Sequence, residues 1–226
     1  MQRNHVVLSV CVLINATPVA WAAGGAPMAM PQAAPRVQTP ADQAKSAYND
    51  GIRDVHKADK YQTSAAERTD PKKKDKDLHE AQEHYGAALT KFMQAAKLDP
   101  NMHEAWNYVG YTNRKLGNYD IALQAYERAL TLHPGYPEAL EYRGEAFLGL
   151  NRVADAQQAY LDLFASNRAL ADKLLAAMKG WVATQRTATG TDATAIDAFD
   201  KWVQERAQIA GQTASLTRAG ATSMWR

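Results

Sequence analysis

The stretch 103-HEAWNYVGYTNRKLGNYDIALQAYERALTLHP-134 decides the fold when it is set against 137-PEALEYRGEAFLGLNRVADAQQAYLDLF-164, one period of 34 residues later. Trp106 then pairs with Leu140, Gly110 with Gly144, Tyr119 with Val153, Ala122 with Ala156 and Tyr126 with Tyr160. One period upstream, Tyr85, Ala88, Phe92, Ala95 and Pro100 keep register with Tyr119, Ala122, Tyr126, Ala129 and Pro134. Matches at one fixed period across three segments mark a small structural unit that recurs and stacks on itself.

Each unit reads as two antiparallel helices. Trp106, Val109, Gly110 and Asn113 fall at helical spacing on the first, and Tyr119, Ala122, Tyr126 and Ala129 on the second. Gly110 and Ala122 are small so that the two axes approach closely, and Trp106 and Tyr126 fill the volume above and below the crossing. Gly117 suits the left-handed position that ends the first helix, with Asn151 at the equivalent place. Pro134 stops the second helix and Gly135 turns the chain into the next unit.

The succession Trp106, Val109, Gly110, Tyr119, Ala122, Tyr126, Ala129 and Pro134 resembles the consensus of the tetratricopeptide repeat (TPR) family. The resemblance covers residues 103–136 closely, 137–166 less closely, and for 85–100 the second helix alone. Arg143 stands at an aliphatic position, Leu163 at an alanine position and Arg168 at the proline position. The last two departures mark an array that is ending against something different.

The flanking segments extend this reading. Ala44, Ala47, Tyr48, Gly51, Ile52 and Val55 form an amphipathic stripe, taken as the first helix of the first repeat. About thirty residues separate it from the Tyr85–Phe92 helix, and Asp70-Pro71, a good cap and first-turn pair, favours two long helices over an inserted loop. Beyond residue 166, Leu170, Leu174, Met178 and Trp181/Val182 make one stripe. Thr191 or Asp192 caps another, which carries Ile196, Phe199, Trp202/Val203 and Ile209/Ala210 and is expected to end before Gly211. These two helices are expected to cover the open face of the last repeat, as solenoids require.

At the start of the chain, Arg3 and His5 precede the apolar run Val6–Ile14, and Ala20-Trp21-Ala22 places small residues as a signal peptidase needs. This is the pattern of a secretory signal, too short to span a bilayer. Cleavage near Ala22 would remove Cys11, the only cysteine in the sequence, and with it disulfide, thiolate and thiol-nucleophile chemistry. The 26 Lys and Arg against 24 Asp and Glu become 25 against 24 once Arg3 is lost, or +1. A near-neutral chain lacks the concentrated positive charge of a nucleic-acid binder.

Few residues suggest chemistry. In 79-HEAQEH-84 the two histidines are five apart, so they point roughly 140° away from each other on a helix and miss the zinc-peptidase spacing. His79 with Glu83, and Glu80 with His84, instead suit surface contacts at i,i+4. Lys72, Lys73, Lys74 and Lys76, with Arg68 before them, read as a solvated helix tip or as a contact for an acidic partner or anionic envelope polymer. What the family resemblance implies is a peptide groove lined by the outward face of each unit's first helix. Here that face carries Asn107, Tyr111 and Arg114, then Glu138, Glu141 and Glu145. The three glutamates fall within an arc of about 60° and read as a plain solvated acidic stripe or as part of a groove selecting basic or amide-rich peptide. The lysine and asparagine ladder of the family's carboxylate-gripping version is absent from this sequence.

The expected architecture is all-α: a right-handed TPR solenoid of about three helix-turn-helix units with C-terminal capping helices. Its expected parts are a signal peptide (1–22), a Pro/Ala-rich linker (23–40), repeats at 41–102, 103–136 and 137–166, capping helices (167–210) and a flexible tail (211–226). The expected function is non-catalytic protein binding or scaffolding in the periplasm, with a protein or peptide partner, no nucleic acid, no cofactor, no metal and no membrane-spanning segment. A lysine-tip envelope tether and, further off, a periplasmic metal-dependent hydrolase are the alternatives.

Overall fold

A computed structural model describes residues 38–190 and 192–223, with side chains to residue 213. The expected signal, most of the linker, Cys11 and residues 224–226 lie outside the described residues. Every described element is a helix: α1 (Pro40–Glu67), α2 (Pro71–Leu98), α3 (His103–Lys115), α4 (Tyr119–Leu132), α5 (Pro137–Gly149), α6 (Val153–Ser166), α7 (Arg168–Thr187) and α8 (Ala193–Ser223). Each packs on its chain neighbours, and α5 packs on α3 and α7 as well, which makes a helical solenoid. No described helix is long and apolar enough to cross a membrane.

The ends of the helices follow from local chemistry. Thr39 and Asp42 close a reciprocal capping box at the start of α1. Asp70 accepts from the Lys72 N–H at 3.0 Å, so α2 begins at Pro71, and α1 and α2 are two long helices without an inserted loop. Asn151 takes φ 57° and Gly117 φ 84°, the left-handed turns that end α5 and α3. Asn167 both ends α6 and starts α7, its side chain accepting from the Leu170 N–H at 3.2 Å.

Packing within each unit places a large residue against a glycine. A Cβ on Gly51 would fall 2.7 Å from the Phe92 ring, and one on Gly110 would collide with the Tyr126 ring. At Gly144 the colliding side chain is Leu174 of α7, 2.6 Å away, so the next helix fills the slot in the third unit. Leu163, at the alanine position, is fully buried in the cluster that α7 and α8 complete with Leu174, Met178, Phe199 and Val203. Arg168 lies 3.7 Å from the centre of the Phe164 ring and donates to the Ala210 carbonyl of α8.

Trp106 packs against the cluster of Ala122, Tyr126 and Ala129 as expected, half-buried and with its indole N–H donating to the Pro100 carbonyl at 3.1 Å, while Tyr126 is fully buried. One expectation is corrected. Helix α8 does not end before Gly211 and leave a tail, but runs on to Ser223. A single glycine costs a helix only about 1 kcal/mol, and Arg168 donates here to the Ala210 carbonyl and to the Thr213 hydroxyl on either side of Gly211.

Candidate functional site

Helices α1, α3 and α5 are the first helices of successive units. Residues three and four apart share a helix face, so Glu104, Asn107, Tyr108 and Tyr111 lie together on α3, as do Glu138, Glu141, Tyr142 and Glu145 on α5. Across these faces runs a strip of rings. Tyr48 of α1 meets Tyr108 at 5.7 Å between centroids, Tyr108 meets Tyr111 at 5.8 Å, and Tyr111 meets Tyr142 at 5.0 Å. Phe92 stacks on Tyr108 at 4.9 Å and supports the strip from α2. All four tyrosines are half-buried. Burial pushes their hydroxyls above the usual phenol range, which keeps them neutral hydrogen-bonding groups.

Charges are set into this strip in pairs. Arg114 is bound to Glu145 across the α3–α5 seam, 5.3 Å and 5.4 Å from the centres of the Tyr111 and Tyr142 rings. Burial acts against its charge, and Glu145 with the surrounding tyrosines more than restores it. The Tyr111 hydroxyl donates to Asp59 at 2.9 Å, the Tyr85 hydroxyl donates to the same carboxylate, and the Lys115 ammonium stands 4.0 Å from it.

The six residues expected at the site therefore separate. Tyr111 and Arg114 lie in the strip, both engaged by partners within the chain. Asn107 is not presented to solvent but is 1% exposed, with its Oδ1 lacking any donor. Glu141 is 3% exposed, and burial, then the neighbouring Glu145 carboxylate, pushes its acidity constant up to about 8. Glu145 is paired, and Glu138 alone of the three glutamates is half-buried without an ion pair. The solvated acidic stripe is thus replaced by one paired, one buried and one unpaired carboxylate. All three share one side of α5 by helical spacing, but α3 and α7 both pack on that helix, with Arg114 of α3 and Lys173 of α7 near Glu141.

The rings Tyr48, Tyr108 and Tyr142 were not anticipated, although Tyr108 and Tyr142 are themselves 34 residues apart. At one end of the strip a cavity of about 540 Å³ opens between α1 and the start of α3, lined among others by Tyr48, Asn49, His103 and Glu104. Elsewhere, His79 meets Glu83 at 3.3 Å, whereas His84 turns from Glu80 to stack on Tyr61 and face Asp54 at 4.0 Å.

Residues 77–137 and 110–169 each match the family model described as tetratricopeptide repeat. Together the two matches span residues 77–169, which resemble TPR sequence. They run from within α2 through α6 to the first two residues of α7, while α1, which supplies Tyr48 and Asp59, and the rest of α7 and α8 lie beyond them. Among solved structures, this chain is similar to the one described as the first TPR of Spaghetti (RPAP3) bound to HSP90 peptide SRMEEVD. That likeness is 16% in identity with a TM-score of 0.40, over 59% of this chain and 94% of that one.

Proposed function

We propose that this chain is an exported, non-catalytic protein-binding or scaffolding module of the periplasm, which takes a polypeptide segment along the tyrosine strip of α1, α3 and α5. The strip carries this reading: four half-buried tyrosines on three stacked helices, continuous over the TPR units and the helix before them. Tyrosine suits such a surface because it offers apolar area and a hydroxyl at little entropic cost. Export and periplasmic location rest on Val6–Ile14 and Ala20-Trp21-Ala22. In this proposal α7 and α8 close the repeat array.

The test is capture from an envelope extract with the parent chain and with Tyr108→Ala/Tyr142→Ala, both checked for helix content. A partner held by the parent and released by the variant supports the strip, and one held equally by both refutes it. N-terminal sequencing of the cellular protein tests export, which fails if Met1 or Gln2 is found. The exposed lysines 72, 73, 74 and 76 at the start of α2 support a second reading, a tether to anionic envelope polymer. That reading requires salt-sensitive binding lost on Lys72→Gln/Lys73→Gln/Lys74→Gln and untouched by the tyrosine changes.

A further inference from the structure

Three hydroxyls of the tyrosine strip are open. Those of Tyr48, Tyr108 and Tyr142 make no hydrogen bond among the described residues, yet none is sealed away as the hydroxyls of Tyr126 and Tyr160 are. Tyr111 differs, because its hydroxyl donates to Asp59 and fixes the ring as a wall of the strip. Phe92 stacks behind Tyr108 and holds that ring in turn.

Most of the charge beside these rings is matched within the chain. Arg114 is bound to Glu145, Lys115 stands 4.0 Å from Asp59, and His103 stands 3.3 Å from Glu104. Glu138 and Lys45, which make no ion pair among the described residues, are of opposite sign. The strip therefore favours neither sign of ligand and offers ring faces with neutral hydroxyls between them.

These features separate the ways in which a peptide can dock. Every described element is a helix, so no described sheet edge awaits an added strand. A docking α-helix already closes its carbonyls onto its own N–H groups and would leave the three hydroxyls without acceptors. A polyproline II segment has no internal hydrogen bonds, so its carbonyls point outward and need donors. Proline also brings an apolar ring to lie on the tyrosine faces, and no N–H to be buried. The scale agrees as well. One turn of polyproline II advances about 9 Å, and alternate rings of the strip stand no more than two ring-to-ring steps of 5.0–5.8 Å apart.

We infer that the tyrosine strip binds a proline-rich polypeptide segment in the polyproline II conformation, with Tyr48, Tyr108 and Tyr142 donating to its carbonyls. The inference rests on the groove reading and adds to it the composition and conformation of the occupant.

The test uses the full chain and short random peptides selected on it from a phage-displayed library, then synthesised. Peptides whose binding falls with Tyr108→Ala/Tyr142→Ala occupy the strip. Those peptides are expected to carry prolines three residues apart and to bind equally at low and moderate salt. Tyr108→Phe/Tyr142→Phe keeps both rings, so it preserves the fold where truncation disturbs it, and circular dichroism checks each variant. This change should weaken the peptides about fivefold for each hydroxyl that is lost. Replacing one proline of the peptide by alanine should weaken binding about threefold, through lost pre-organisation, and needs no protein variant. Strip-dependent peptides that lack proline, that lose affinity steeply with salt, or that bind the phenylalanine variant as tightly as the parent overturn the inference and leave the groove standing. If no selected peptide depends on the two tyrosines, the groove reading falls and takes the inference with it.

Discussion

The first helix pair and the second solve one packing problem at two lengths. In both, a glycine on the first helix receives an aromatic ring from the second, Gly51 under Phe92 and Gly110 under Tyr126. Yet α1 and α2 have 28 residues each, against 13 and 14 in α3 and α4. The extra turns do not repeat the ring-on-glycine device. They meet through the buried alanines Ala58, Ala65 and Ala81 and are fastened by carboxylates: Asp77 accepts from Ser64 at 2.7 Å and Arg68 at 3.0 Å, and Asp59 from Tyr85 and Tyr111. A repeat is thus held by rings in glycine slots, and its extension by alanines packed with Tyr61 and Tyr85 and by polar fastenings.

The largest effect expected from this contrast is at a slot. Tyr126→Ala, which empties a fully buried site, should cost about 3–5 kcal/mol in urea unfolding, with Phe92→Ala similar. Trp106→Ala should cost visibly less, because that ring is half-buried. Equal losses for Trp106 and Tyr126 would mean that the crossing is not organised around the glycine slot. Filling the slot instead, Gly110→Leu should cost about 1–3 kcal/mol by overpacking, while the same change at Gly86, where nothing lies within 4 Å, should not destabilise the fold.

The seam between α3 and α5 sharpens the comparison through pH. Glu141 is held protonated more firmly in the folded chain than in the unfolded one, since its folded value is raised to about 8 from 4.5. Between those values the folded state binds the additional proton, so stability should fall as pH rises through the window. Glu141→Gln should remove that slope and gain about 1–2 kcal/mol at pH 8, near the cost of one buried charge lacking full compensation. Denaturation curves at pH 5 and pH 8 that shift equally for parent and variant would count against a buried, protonated Glu141. For the same reason Glu141→Lys is expected to damage the fold.

The smallest effects belong to the extension. Tyr111→Phe removes one hydroxyl from Asp59, which keeps Tyr85, and should cost about 1 kcal/mol. Lys72→Gln/Lys73→Gln/Lys74→Gln should shift stability by no more than about 0.5 kcal/mol, because these side chains are exposed. A larger loss there would show that the tip is part of the folded core.

How much of this was legible in the sequence depends on which contacts repeat. Helices α3 to α6 could be read from Gly110, Gly144, Tyr126 and Tyr160, because these residues recur at one period, although Leu174 and not Tyr160 fills the slot at Gly144. The long first pair was legible through Asp70-Pro71, a local cap that needs no tertiary knowledge. The burial of Asn107 and Glu141 was not, since a helical wheel orders residues around one axis and says nothing of how near the next helix lies. The tyrosine strip was half legible: Tyr108 and Tyr142 share a register, but Tyr48 joins them from outside it. The run of α8 past Gly211 was hidden because its support, Arg168, sits more than forty residues earlier in the chain.

Asn167 sets a different kind of constraint on the molecule. As the one residue between α6 and α7, it leaves no slack to absorb a change in chain length, unlike the three- to five-residue connections elsewhere. One residue inserted there would turn α7 by about 100° about its axis and swing Leu174 away from Gly144 and Met178 out of the core. Insertions should therefore be tolerated after Lys115 or around Gly190 and rejected at Asn167. A family of circularly permuted or loop-extended variants would locate this joint by which of its members fail to fold.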